Sequence, residues 1–279
     1  MPVWFYQIPI YLALALIVLF SNVISLFGYW VSKRFLSRVD NKDVVTKIVW
    51  QTVLFFSTVF ITFWIATNWG NLGQLKQTTT REASAIAQIY NDLNSLPKTE
   101  QVNLEAKLDS YLNSIIHDEY PSLANGQTSL RTNEECSQFV TAVYNYQPES
   151  SMTAELQYNR TLQHLSEMSD YRQDRLSYLD GNLHGPLLLF FLTMVLTGCF
   201  WIGFVDTRSF WFTLFIIMSQ NWIFGSSSWL ILEMDKPFQG QFSVTSDPFI
   251  YIQRDIHMFH ATDNTTQAVC NSQNTSQKN

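Results

Sequence analysis

The sequence predicts an all-α membrane protein, with four transmembrane helices and an amphipathic helical domain inserted between the second and the third. Three observations carry that expectation. Charged residues make up only 14% of the 279 positions while aromatics reach 15%, whereas ordinary globular chains are roughly one-quarter charged. Four windows each supply the roughly 20 mostly apolar residues that an α-helix needs to cross about 30 Å of hydrocarbon. The charge is also segregated: the stretch from Trp69 to His184 holds 15 of the 23 acidic residues and 8 of the 17 basic ones. A mean hydropathy of -0.01 is therefore the average of two unlike regions. The same segregation excludes a soluble enzyme with one core, a disordered chain and a basic nucleic-acid binder, so no nucleic-acid partner is expected.

The first window runs from Trp4 to Trp30 without a charge, and its most polar inner positions are Ser21, Asn22 and Ser25. A signal peptide would open with a basic region and carry a shorter apolar run before a cleavage site. Neither fits, and the window reads as a true span. The second span covers Val49 to Trp69, the third Pro186 to Val205, and the fourth Phe210 to Leu232 with Gln220 and Asn221 near its middle. Trp, Tyr or charged residues bound each one, as expected where a helix leaves the bilayer. The resulting divisions are 1–68 for the first two spans with a basic loop at 31–48, 69–184 for the acidic helical domain, 185–234 for the last two spans, and 235–279 for a post-membrane segment with a polar, disordered tail.

An even number of spans puts both termini on the same side as the acidic domain. Lys and Arg are equally frequent near the two membrane faces, but Lys33, Arg34, Arg38, Lys42 and Lys47 crowd into one short loop. Charge in short loops sets orientation. That density places 31–48 in the cytoplasm and the acidic domain with both termini outside, in a multi-pass protein of the cell (inner) membrane whose first partner is the lipid bilayer.

Between Gly70 and His184 the apolar residues recur at helical spacing. Ala83, Ile86, Tyr90 and Leu93 form one stripe, and Leu104, Leu108, Leu112 and Ile115 a second. Phe139, Val143 and Tyr144 form a third, and Leu162, Leu165, Met168, Leu176 and Leu179 a fourth. Turn residues separate them at Leu96 to Lys98, Pro121 to Gly126 and Gln147 to Ser150. Thr99, Gln101 and Asn103 offer caps for the second of these helices, and Ser151 or Thr153 for the fourth. No glycine-rich phosphate loop, nucleophile elbow or repeat is present, and no cofactor is expected.

Little in the chain points to catalysis. The cysteines are Cys136, Cys199 and Cys270. No pair has metal spacing; Cys136 and Cys270 could form a disulfide in an oxidising compartment, and free thiols are the simpler reading. Asp255, His257, His260 and Asp263 could gather on one helical face, but two imidazoles make a metal site only when further ligands converge. Neither a metal site nor a catalytic residue is expected. In His117-Asp118-Glu119-Tyr120-Pro121 the adjacent carboxylates diverge around a helix end. Arg172 and Arg175 share a helical face that could meet anions or lipid phosphate, and pairing with Asp170 and Asp174 is the simpler expectation. Span two is more specific: Phe56, Phe60, Phe63 and Thr67 lie on one face, beside Ser57, Thr58 and Thr62. Apolar rings around an oligomer axis form constrictions that gate by dewetting, which makes this face the candidate pore lining. Gln220, Asn221 and Ser226 to Ser228 should turn toward neighbouring helices or water, and Ser21 with Ser25 offers a small-residue helix contact.

The segment closing span four, Leu232-Glu233-Met234-Asp235-Lys236-Pro237-Phe238-Gln239-Gly240-Gln241-Phe242-Ser243-Val244, resembles the signature that ends the bestrophin-like domain family of mostly bacterial membrane proteins. Arg81-Glu82-Ala83 opens the first soluble helix in that pattern. Tyr111 and then Glu119-Tyr120-Pro121 resemble its tyrosine followed by glutamate, aromatic and proline, and Arg172-Gln173-Asp174-Arg175 its arginine-rich run before span three. The resemblance extends to about Pro248. It implies a distant similarity to bestrophins, which are pentameric anion channels with four spans and a helical cytosolic portion, the reverse of the orientation that loop charge suggests. Bestrophins follow their Asn-Pro-Phe-Gly turn with an acidic calcium clasp. Gln241 to Val244 carry no carboxylate, so no calcium site is expected, and the tyrosine and glycine positions of the bestrophin neck are missing from span two.

Together these readings give a homo-oligomeric channel or pore for inorganic ions, anions if the resemblance extends that far. The alternative is a non-conducting, membrane-anchored binding or assembly module that uses the acidic helical domain. A membrane enzyme is disfavoured because no span contains an ionisable catalytic residue, and intramembrane charge is the usual mark of such sites.

Overall fold

The computed structural model describes residues 10–35, 42–148, 150–180, 185–205, 209–240 and 242–258, and among them every regular element is helical. In chain order these are α1 (Ile10–Phe35), α2 (Lys42–Leu93), α3 (Lys98–Ser114), a π-helical turn (Ile115–Glu119), α4 (Tyr120–Ala124), α5 (Leu130–Asn145), α6 (Met152–Ser177), a 3₁₀ turn (Tyr178–Asp180), α7 (Gly185–Ile202) and α8 (Phe210–Met234). A last helix, α9, covers 247–258. The chain divides into two units: Met1–Gly73 with Asp180–Ser243, and Gln74–Leu179 with Val244–Asn279.

In the first unit α1 and α2 are the two described helices long and apolar enough to cross a membrane, over Tyr11–Phe35 and Lys47–Leu93. Helix α7 is apolar but shorter, and α8 dilutes its 25 residues with Gln220, Asn221 and three consecutive serines. The interior consists of Ile61, Phe191, Cys199, Ile202, Ile217 and Phe224 with their neighbours. Glycines allow the helices to touch through their backbones. A Cβ on Gly28 would collide with the Phe200 carbonyl, one on Gly203 with the Ser25 carbonyl, and one on Gly225 with Val18. At the same level Asn221 Nδ2 donates to Ser25 Oγ at 2.9 Å and to Asn22 Oδ1 at 3.2 Å, while Ser25 Oγ donates to the Cys199 carbonyl at 2.6 Å. Ser25 thus contacts neighbouring helices, and Ser21 bonds back to Ile17 O on its own turn.

In the second unit the stripes meet in one core that includes Ile86, Leu93, Leu104, Leu112, Phe139, Val143, Leu165 and Met168. Tyr144 departs from its stripe and is exposed. Phe249 and Ile256, three and four residues either side of the half-buried Ile252, bring α9 into the same core. From the sequence this stretch is a post-membrane segment leading into a polar tail, with a helical face considered only for Asp255 to Asp263. Ser129 caps α5 by accepting from the Thr132 N–H at 3.2 Å, a standard use of serine at a helix start. For α3 the capping position is Pro97 rather than Thr99, and Ser151 takes that position for α6 without a side-chain bond.

Two expected breaks are absent. Helix α2 continues from Lys42 to Leu93, so Arg81-Glu82-Ala83 lies inside it and opens nothing. Between Trp69 and Arg81 the strongest helix-disfavouring residues are Gly70 and Gly73, at roughly 1 kcal/mol each. Thr79 and Thr80 satisfy their hydroxyls on Leu75 O and Lys76 O one turn back. Pro121 also fails to interrupt the chain, because it sits in the first turn of α4, where a missing N–H costs no bond. The reversal comes later, at Gly126, whose φ is +75°.

Candidate functional site

Five residues from four separate motifs, Glu82, Tyr111, Glu119, Arg172 and Arg175, lie together inside the second unit. Arg175 of α6 donates from Nε to Glu82 Oε2 at 2.6 Å, and from one terminal nitrogen to Glu82 Oε1 at 2.9 Å and Glu119 Oε2 at 2.7 Å. Arg172, one turn earlier, donates to Glu119 Oε1 at 2.5 Å and to Asn133 Oδ1 at 2.7 Å. Glu82, Glu119 and Arg175 are all fully buried. The Tyr120 and Phe249 rings lie 5.4 and 5.5 Å from the Arg175 guanidinium carbon, and Tyr111 stacks on Phe139 at 6.5 Å. The π-helical turn ends at Glu119, and the extra residue it accommodates aims that carboxylate inward while Asp118 faces Arg131 at 3.3 Å.

This pairing replaces the expected contacts of Arg172 and Arg175 with Asp170 and Asp174. A fully buried guanidinium needs buried carboxylates to offset its lost hydration, and neither Asp170 nor Asp174 is buried. Burial pushes the Glu82 carboxyl above its ordinary range despite the opposing pull of Arg175. For Glu119 burial acts in the same direction, but Arg175 and Arg172 together outweigh it and hold the carboxyl below its ordinary range. Burial raises the Tyr111 phenol well above normal, Tyr120 to about 12, and the half-buried Cys136 thiol upward. The tetrad carries two charges of each sign, reaches solvent only at the half-buried Arg172 and offers no exposed nucleophile. Its chemistry is that of an internal clamp between α2, the π turn and α6. Asn133, Tyr120 and Phe249 complete it, and no local spacing announced them.

The pore-lining candidates lie on α2 in the first unit. Phe56 and Phe63 are 63% and 66% exposed, and Thr67 is also exposed, its hydroxyl bonded to Phe63 O at 3.0 Å. Phe60 differs: it is half-buried, with its ring 5.2 Å from Phe190 and 5.5 Å from Trp64. It stands at the edge where α2 meets α7, while Ser57, Ile61 and Asn68 are buried. The row is therefore continuous in Phe56, Phe63 and Thr67, with Phe60 as its packed border.

After α8 the chain folds back on itself. Glu233, Asp235, Pro237, Phe238 and Gln239 are buried, and the Gln239 N–H donates to Lys236 O at 2.9 Å. Gly240 has φ +75°, and a Cβ there would collide with the Glu233 carboxylate. The turn thus requires glycine twice over. His257 lies on α9 with Nε2 3.7 Å from Asp109 Oδ1; His260, Asp263 and Cys270 fall outside the described residues. Among the described residues no three His, Cys, Asp or Glu side chains are grouped to hold a metal ion.

Residues 18–249 match the family model described as the Bestrophin-like domain. No curated protein matches the chain. Among solved structures, a bacterial bestrophin homologue from Klebsiella pneumoniae is 15% identical with a TM-score of 0.67, covering 88% of this chain and 96% of that one. A point variant of that homologue is 14% identical with a TM-score of 0.66, covering 86% and 95%. A further structure, described as a membrane protein, is 11% identical with a TM-score of 0.65, covering 86% and 96%.

Proposed function

The chain belongs to the Bestrophin-like domain family, and from that premise we propose that it assembles as a homo-oligomer in a lipid bilayer and passes small inorganic ions along a path lined by α2. Phe56 and Phe63 form the apolar constriction, with Thr67 as a hydroxyl one turn further on. The observation that supports this is the surface of α2: one of two described helices long and apolar enough to span, it packs one side against α7 and leaves this row uncovered. Apolar rings around an axis gate by excluding water, whereas hydroxyls line wetter positions.

Four spans are part of the proposal. The 18 residues of α7 extend about 27 Å at 1.5 Å per residue, and the polar residues of α8 turn inward at Asn221 and Ser228, both buried. Concentrated Lys and Arg around the α1–α2 connection support a cytoplasmic position for that loop, with the acidic unit outside. Cysteine labelling of intact cells tests it: a reactive Ser37→Cys with a protected Ser151→Cys reverses the orientation.

Recordings in planar bilayers test conduction. Purified wild-type protein is expected to carry current that changes in Phe56→Ala and Phe63→Ala. Silence across ions and voltages overturns the pore and favours a membrane-anchored assembly module.

A further inference from the structure

The first unit contains an apolar wedge that the pore reading does not use. Helices α1 and α7 touch backbone to backbone at Gly28, Phe200 and Gly203, where no Cβ fits between them. Toward their N-terminal ends they separate, and a cavity of about 240 Å³ opens between them over a floor from α8. It runs from Leu16 to Ile24 on α1 and from Phe191 to Cys199 on α7, about 12 Å along each helix at 1.5 Å per residue. The elongated shape follows the helices.

The lining selects the kind of guest. Leu232, Ile17, Phe191 and Val195 supply the walls, and no charged residue lines the space. The polar groups that do so already have partners: Ser21 Oγ donates to Ile17 O at 2.9 Å and Ser228 Oγ to Phe224 O at 2.7 Å, while the Cys199 thiol is in hydrogen-bonding contact with Ser21. Water gains nothing there, since apolar cavities of about 150 Å³ stay dry and accept hydrocarbon guests. The mouth consists of Leu16, Phe20, Leu192 and Leu196, all exposed. These side chains belong to the outward apolar surface of α1 and α7, so the wedge is continuous with whatever covers that surface.

We propose that the wedge between α1 and α7 is a binding site for one acyl chain of a bilayer lipid, held parallel to the helices and closed at the glycine contact. This rests on the membrane placement of the first unit given above. The glycine crossing creates the wedge, because helices that touch so closely at one end must part where Phe20, Phe191 and Leu192 place larger side chains. A chain held on three sides exchanges more slowly than the lipid around it.

Native mass spectrometry of full-length protein, purified in detergent from cells and washed through several detergent exchanges, tests the site. The wild type is expected to retain one phospholipid per subunit, and Ser21→Phe, which fills the cavity from its α1 wall, to lose it. Leu196→Trp blocks the mouth from the surface and is expected to do the same, so the test survives if Ser21→Phe does not fold. A lipid carrying a diazirine on its acyl chain should label the Phe191–Cys199 peptide in the wild type at least tenfold more than in Leu196→Trp, with labelling of the exposed 210–215 end of α8, which lies outside the wedge, unchanged. Wild-type protein that retains no lipid, or variants that retain as much, overturns the site. So does a disulfide between subunits formed by Leu196→Cys, which would mean a second copy fills the wedge. Extraction of membranes with alkaline carbonate reports on the membrane placement separately: a chain that stays with the vesicles but holds no lipid refutes the wedge alone.

Discussion

The two units solve the same problem, burying polar groups, in opposite ways. In the first, the polar contacts where α1, α7 and α8 cross are uncharged: Asn221, Ser25 and Asn22 bond one another and the Cys199 carbonyl, and the buried carboxylates of Glu233 and Asp235 lie only at the end of α8 and the turn after it. In the second, whole charges are buried, with Arg175 held by Glu82 and Glu119 inside a unit whose outside is polar. Surrounded by lipid, helices gain little from burying apolar surface, and close packing with hydrogen bonds must hold them together. Surrounded by water, apolar burial supplies the stability, and that core tolerates a costly charged clamp that defines which helices meet. On the membrane placement proposed above, the difference between the units follows from a difference between their solvents.

The largest effect expected from breaking this contrast is at the clamp. Arg175→Met leaves Glu82 and Glu119 buried without their shared partner and should destabilise the second unit by about 3–5 kcal/mol, read from denaturant unfolding followed by hydrogen exchange in 74–179. Next is the glycine crossing. Gly203→Ala drives a methyl into the Ser25 carbonyl, and overpacking of this kind costs about 1–3 kcal/mol. Unfolding in detergent should show the loss in the first unit while the second keeps its protection. Smaller again is Asn221→Leu, which removes uncharged bonds worth about 0.6–2 kcal/mol between membrane helices. A loss as large as that of Arg175→Met would erase the contrast.

The smallest effect is the pH dependence of the second unit. The carboxyl of Glu119 is held below its ordinary range, so its contribution is present above the unfolded pKa and is lost as pH falls through the folded one. Glu82 is raised and acts in reverse: its contribution is present in acid and declines as pH rises through its folded value. Acidification below the ordinary carboxylate range should therefore weaken the second unit through Glu119, and Glu119→Gln should flatten that slope in acid titrations followed by circular dichroism. A slope that persists in this variant assigns the acid sensitivity to other carboxylates.

Helix type and the apolar faces were legible before the structure because they depend on local periodicity. Ile86, Leu104, Leu112, Phe139 and Leu165 all occupy the core their spacing assigned them. The membership of Glu82, Tyr111, Glu119, Arg172 and Arg175 in one motif set was also visible, but their partners were not. Glu82 and Arg175 are 93 residues apart, and no spacing rule joins side chains across that distance. The uninterrupted α2 was missed because glycine and threonine are weak breakers whose effect neighbouring packing overrides. Helix α9 was missed because its buried contacts, Phe249 and Ile256, are too few to form a pattern that stands out from a polar tail.

Segregation of charge from apolar sequence already specified two unlike regions, all of it helical, because burial and hydration act residue by residue. Which guanidinium met which carboxylate, where Gly28 and Gly203 let backbones touch, and that Phe60 would pack while Phe56 and Phe63 stayed uncovered, emerged only on folding. Those outcomes depend on the distance between helices, and a linear pattern contains no distances between its own remote parts.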